Sequence, residues 1–272
     1  MLKNIIIVND FAYINGGAAK VAIESALGLA KQGYNVIFFA AVGPIDRRLE
    51  NRGIKVICLG QKDILADTNR LRAFFQGLWN NKSKSRLNKL LSEYSPSCTV
   101  VHVHGWIKAL SSSIWYSISN KRFRTVVTLH DYFLFCPNGG LFNYQSKKIC
   151  HLRPYTISCY TCNCDSRTYI QKIWRVIRQL IINHFFSKNN NISVIYISEL
   201  NRAVSYPHLK KQTGKWYYIN NPVALNKITI VDVSKNDTYL FVGRLSPEKG
   251  AALFCKAIKD LNLRGEVLGD GI

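Results

Sequence analysis

Seven short runs along the chain are apolar almost without interruption: IIIVN (5–9), NVIFFAA (35–41), KVICLG (55–60), CTVVHVH (98–104), RTVVTLH (124–130), SVIYIS (193–198) and WYYIN (216–220). β-Branched and aromatic residues dominate them, and segments of helix length lie between. A strand with one wet face alternates polar and apolar positions, whereas a strand buried on both faces does not. The pattern therefore predicts an α/β domain with a parallel, doubly wound sheet covered on both faces. The clearest helix is GGAAKVAIESALGLAKQG, in which Val21, Ala22, Ser25, Ala26 and Leu29 share a face and Gly33 supplies the stop. A second helix follows residue 167. Its Ile170, Ile173, Trp174, Ile177, Ile181 and Phe185 recur at helical spacing, flanked by Arg167, Lys172, Arg175 and Arg178. Such a stripe is expected to pack on the sheet and leave a basic outer face; the sharper expectation is contact with anionic lipid.

The pattern changes after residue 222. Asn221-Pro222 closes the seventh run, residues 223–237 show weak periodicity and read as a linker, and TYLFVG then restarts a strand followed by the helix EKGAALFCKAIKDLNL. The expected domains are 1–222, with a Cys-rich insert at 136–164, and the start of a second Rossmann-like unit at 238–272. One strand, one helix and the beginning of another strand cannot bury a sheet of their own.

Composition narrows the class. With 272 residues, 47% of them hydrophobic, the chain can bury a large core. No apolar run approaches the ~18 to 20 residues of a membrane-spanning helix, and MLKNIIIVNDF lacks the core of a signal peptide. The expected location is cytoplasmic, with the eight cysteines mostly reduced. Thirty-seven basic residues against 16 acidic ones give a net charge of +21, which favours an anionic partner. The charge is concentrated in residues 70–91, with six basic residues and no acid, and in 147–215, with twelve against Asp165 and Glu199. A basic nucleic-acid-binding α/β protein would fit the charge, but no zinc finger, RNA-recognition signature or helix-turn-helix pattern is evident, so nucleic acid is not the expected partner.

Ligands of open α/β sheets bind at the carboxyl ends of the strands. After the first strand comes NDFAYINGGAAK, where Gly16 and Gly17 bring helix-terminal N–H groups within reach of a phosphate or sugar oxygen; glycines that only let the helix turn fit equally. The fourth and fifth strands end in HVHGW and TLHDYF, so His102, His104 and His130 reach one edge. His102 is expected to be structural. His130 is the functional candidate, with Asp131 placed to orient its ring. In LFVGRLSPEKG, Arg244 offers a planar donor fork and Lys249 a point charge, both suited to a diphosphate. Cys136, Cys150, Cys159 and Cys162, with Cys164 spare, could gather four thiolates around a structural zinc. Free thiols fit the wide first spacing as well, and disulfides fit less. Cys58 and Cys255 read as core residues and Cys98 as structural.

These residues carry a resemblance. NGGA, HVHG, TLHDYFLFCPNGG, YISELNRAVSY, YINNPV, FVGRLSPEKG and LGDGI resemble, in order, the landmarks of retaining glycosyltransferase family 4, which has the GT-B fold. The resemblance implies two Rossmann-like domains facing across a cleft. It also implies transfer of a sugar from a nucleotide-sugar donor to a glycan or lipid-linked acceptor, in cell-surface polysaccharide synthesis, without a catalytic cofactor. By it Arg244, Glu248 and Lys249 would bind the donor, with the arginine and lysine on its diphosphate. Gly16 and Gly17 would lie beneath that diphosphate, and His130 would contact a donor-sugar hydroxyl or the reacting centre. The family's Glu-x7-Glu pair would follow the GDG turn, but the sequence ends at Ile272, so the chain is expected to be C-terminally truncated and poorly active alone. The alternative is a non-catalytic remnant or scaffold of such an enzyme. The basic, aromatic-bearing segments 70–91 and 167–188 lead to the expectation of peripheral contact at the inner face of an anionic membrane.

Overall fold

The computed structural model describes residues 1–189, 191–223, 232–246 and 249–271. The first unit runs β1 (Asn4–Phe11), α1 (Gly17–Lys31), β2 (Asn35–Val42), α2 (Arg47–Asn51), β3 (Lys55–Cys58), α3 (Arg70–Leu78), α4 (Asn81–Ser92), β4 (Thr99–Val103), α5 (Ser113–Lys121) and β5 (Arg124–Thr128). An insert with β6 (Phe142–Asn143), β7 (Lys148–Ile149) and α6 (Ile157–Thr161) precedes α7 (Tyr169–Phe186), β8 (Ile192–Tyr196), α8 (Glu199–Leu209) and β9 (Trp216–Tyr218). The seven expected strands form one sheet in the order β3-β2-β1-β4-β5-β8-β9, and every pairing in it is parallel.

The apolar runs divide their residues between two cores. Ile6, Val8, Ile37, Phe39, Val101 and Val103 face Trp115, Phe123, Ile182 and Phe186. Ile5, Ile7, Val36 and Phe38 face Ala22, Ile23 and Ala26 of α1 and Leu49 of α2. Successive side chains of a strand point to opposite faces, so a strand needs apolar residues throughout only when both faces are covered. The inward face of α1 is Ala19, Ala22, Ile23 and Ala26, while Val21, Ser25 and Leu29 are half-buried. It is rotated from the expected face toward Ala19 and Ile23. Gly33 ends it at φ 87°, a conformation that favours glycine.

Helix α7 corrects the sequence expectation. Ile170, Ile173 and Ile177 are exposed, whereas Lys172, Arg178 and Gln179 are buried. The buried polar face meets the insert rather than the sheet. Lys172 Nζ donates to Cys164 Sγ at 3.2 Å, Gln179 Nε2 to the Leu134 carbonyl at 2.7 Å and Arg178 to the Pro137 carbonyl at 3.5 Å. At the carboxyl end of the helix Ile182 and Phe186 are buried in the apolar core, and Phe185 packs against it.

Beyond residue 232, β10 (Thr238–Val242) and β11 (Arg264–Leu268) form a parallel pair with α9 (Ala251–Asp260) between them. No residue of α9 or β11 is buried. Residues 224–231, in the expected linker, lie outside the described residues.

Candidate functional site

Strand order runs outward in both directions from the β1–β4 pair, so the crossover connections diverge there and leave a crevice at the strand ends. A cavity of about 100 Å³ occupies that crevice, lined by Asn9, Asp10, Asn15, Ala18, His104, Gly105, Lys108, Asp131 and Phe133 among others. Its floor is built by the end of β1. The buried Asp10 accepts from the backbone N–H groups of Lys108, Ala109 and Leu110, each at 2.9 Å, and so ties the loop after β4 to β1. Burial pushes the Asp10 carboxyl up, against those three amides. Asn9 donates to the Phe11 carbonyl at 2.8 Å. A Cβ on Gly105 would come within 2.8 Å of Asn9 Oδ1, so this approach of the two loops needs glycine.

The strand-end histidines form a chain. His102 Nε2 bonds Thr128 Oγ1 at 2.8 Å, in keeping with a structural role. His104 Nδ1 and His130 Nε2 are 3.1 Å apart, their rings stacked at 23°. His104 Nε2 is buried without a hydrogen-bond partner among the described residues. Burial pushes His102 and His130 down to about 4 and His104 well below its ordinary value. At neutral pH the rings are uncharged, each with one donor and one acceptor nitrogen, a set suited to hydroxyls. Asp131 does not orient His130: its carboxylate accepts from the Phe133 amide at 3.1 Å, and His130 bonds His104 instead. Asp131 is exposed to solvent on one side and stands in the wall of the cavity on the other. Desolvation at that wall pushes its carboxyl up to about 6 against the opposing charge of Arg178. Arg178 is itself buried between the rings of Phe133 and Trp174, at 5.1 and 4.9 Å; burial lowers it to about 9.

Gly16 and Gly17 are exposed at the start of α1, where a Cβ would meet nothing within 4 Å. The first turn of α1 carries no acidic residue. Its N-terminus opens beside the cavity through Asn15 and Ala18, and the first N–H groups of a helix have no partner within it. In the second unit the expected strand-loop-helix is present: β10 leads through Arg244 to Lys249 and α9, and Leu245 pairs with Gly271. Arg244 and Lys249 are both exposed. Neither lines the cavity, and Glu248 lies outside the described residues.

Residues 15–197, from the loop before α1 to the end of β8, match the sequence profile of Glycosyltransferase Family 4. The chain belongs to glycosyltransferase family 4. This family-4 chain is 24% identical over 268 residues to an uncharacterized 42.6 kDa protein in the cps region of Klebsiella pneumoniae, the alignment covering 93% of this chain and 64% of that protein. The chain thus spans a little less than two thirds of that relative. Among solved structures, Medicago truncatula UGT71G1 complexed with UDP-glucose aligns with a TM-score of 0.52 at 10% identity, over 98% of this chain and 66% of that one. A ugt transferase from Siraitia grosvenorii in complex with UDP aligns with a TM-score of 0.49 at 12% identity, over 97% and 64%. The fold is of the GT-B type.

Other sequence-predicted residues of the family-4 chain fall differently. All eight cysteines are free. Cys136 and Cys159 are buried and Cys150 and Cys162 half-buried. Among the described residues no three His, Cys, Asp or Glu side chains are arranged to hold a metal ion. Cys164, left spare by spacing, is buried and bonded by Lys172 at 3.2 Å and Asn138 at 3.4 Å. Cys58 packs half-buried at the edge of the core, while Cys255 is exposed rather than part of a core. Sequence reasoning missed Asp10 and Arg178. A carboxylate at the end of an otherwise apolar strand was the available signal for Asp10; Arg178 had none, because its burial depends on the insert. No helix among the described residues is long and apolar enough to cross a membrane.

Proposed function

We propose that this chain forms the acceptor-side wall, and the first elements of the donor-side wall, of a retaining glycosyltransferase. It moves a sugar from a nucleotide-sugar donor to a glycan or lipid-linked acceptor in cell-surface polysaccharide synthesis, at the cytoplasmic face. The observation that carries this reading is the cavity between the ends of β1 and β4, where open α/β sheets bind ligands; Asn15, His104, Lys108 and Asp131 of its wall fall within the segment that defines the family, and its floor comes from β1 just before it. The cps-region relative supports the polysaccharide context.

The residues divide the work by charge. The neutral His130 and His104 suit sugar hydroxyls, and the N–H groups at the start of α1 suit a phosphate oxygen. Arg244 and Lys249, exposed on the second unit, draw the donor diphosphate and stabilise the negative charge that grows on it as the sugar leaves. Asp131, with its carboxyl at about 6, is mostly ionised at neutral pH yet more basic than an ordinary carboxylate, and it accepts a hydrogen bond from the incoming hydroxyl. A zinc held by Cys136, Cys150, Cys159 and Cys162 would be structural; it would require the thiols to close around the ion. Nucleotide-sugar binding by this chain, detected by saturation-transfer NMR with and without the His130 ring, tests the reading.

A further inference from the structure

The outward turn of α7 leaves an apolar surface that the transfer site does not use. Ile170, Ile173, Ile177 and Leu180 are exposed, with 76, 45, 43 and 48% of their surface open, at spacings of three, four and three residues that make one helical stripe. The stripe continues onto α3. Trp174 packs against Phe74 with ring centroids 6.1 Å apart, its indole N–H donates to the Phe74 carbonyl at 3.1 Å, and Leu71 and Phe75 extend the patch. Between the helices is a cavity of about 260 Å³, with Leu65, Phe74, Ile170 and Trp174 in its wall and Arg70 and Arg167 at its rim. Contiguous apolar surface of this kind marks an interaction site.

Charge identifies the partner. Residues 68–92 contain six Lys and Arg and residues 166–198 contain five, and neither segment has an Asp or Glu. Two nearby acids are turned inward: Asp67 is buried and pairs with Arg72, and Asp165 is buried and pairs with Arg175, both at 2.7 Å; a third, the half-buried Asp63, accepts from the Leu65 and Ala66 amides. Arg167 remains exposed, its guanidinium unpaired among the described residues. A second copy meeting this face across a two-fold axis would set these cations against one another.

We propose that the α3–α7 face docks on an anionic phospholipid bilayer. The isoleucine stripe and Phe75 enter the headgroup boundary, and Arg70 and Arg167 meet lipid phosphates beside the cavity. The inference goes beyond sugar transfer and needs no donor, so its failure leaves the reading of the active site untouched.

Co-sedimentation of the 272-residue chain with phosphatidylcholine vesicles, with and without about one third phosphatidylglycerol, tests it. Binding should require the anionic lipid and weaken with salt. The double substitution Ile173→Asp with Ile177→Asp, and separately Arg167→Glu, should each lower it by about tenfold or more. Leu253→Asp, on the exposed side of α9, should leave it unchanged. Far-UV circular dichroism checks folding, and Arg167→Glu keeps the test decisive if the double variant misfolds. Equal binding to neutral vesicles, no binding to anionic ones, or indifference to Arg167→Glu would overturn the proposal. So would a lipid-free dimer, seen by sedimentation velocity, that Ile173→Asp dissolves, because a second copy would then own the face.

Discussion

Replacing Asp131 with asparagine should make the protein more stable at neutral pH and less able to bind its ligand. Desolvation at the cavity wall raises the Asp131 carboxyl from 3.8 to about 6. An acid with a higher pKa folded than unfolded holds its proton more tightly in the fold. Its favourable contribution is complete below the unfolded value and is lost as pH rises from about 4 to about 6. At about 1.36 kcal/mol per pKa unit the shift corresponds to at most ~3 kcal/mol; Asp131 is open to water on one side, and screening there leaves about 1 kcal/mol. Asparagine keeps the side-chain oxygen that accepts from the Phe133 amide at 3.1 Å, so the substitution removes the charge and little else. Urea unfolding followed by circular dichroism, on both proteins at about pH 4 and about pH 7.5, measures the effect. The variant should gain about 1 kcal/mol on the wild type between the two pH values. A gap that does not change with pH, or one in which the wild type gains, would show that the carboxylate is not held at a cost to the fold.

Two helical glycines should respond with opposite signs. On Gly77 of α3 a Cβ would meet the Trp174 ring at 2.6 Å, so Gly77→Ala should destabilise by about 1–2 kcal/mol despite its better helix propensity; on Gly28 of α1 it would meet nothing within 4 Å, and Gly28→Ala should stabilise by about 0.5–1 kcal/mol. Equal signs in thermal unfolding would contradict the α3–α7 packing. Freshly purified, reduced protein should carry about one zinc per chain, because Cys136, Cys150, Cys159 and Cys162 are all free thiols, and thiolates held by a metal beside Cys164 would add counter-charge for the fully buried Lys172 that bonds it. Metal analysis that finds none would remove the zinc.

The sheet was legible because its strands are buried on both faces, a condition that leaves continuous apolar runs such as Ile5 to Val8 and Val36 to Ala41. The strand ends followed from it, and with them His104 and His130. Helix α7 was misjudged because periodicity identifies a stripe without saying what covers it. The stripe that the insert covers carries Lys172, Arg178 and Gln179, polar groups that the insert's carbonyls and sulfur can satisfy. Asp131 lines the cavity but bonds the Phe133 amide rather than His130, since adjacency in sequence does not turn a carboxylate toward its neighbour's ring. The partner of His130 is His104, 26 residues away in sequence and brought beside it by the parallel pairing of β4 and β5.

The central claim, that the crevice between β1 and β4 holds a nucleotide-sugar, is tested most directly by saturation-transfer NMR on this chain with a panel of UDP-, GDP- and dTDP-sugars, comparing wild type with His130→Ala. The account predicts saturation transfer to the sugar protons of at least one donor, and its loss when the imidazole bonded to His104 of the cavity wall is removed. No transfer to any donor, or the same transfer with alanine at position 130, would contradict it.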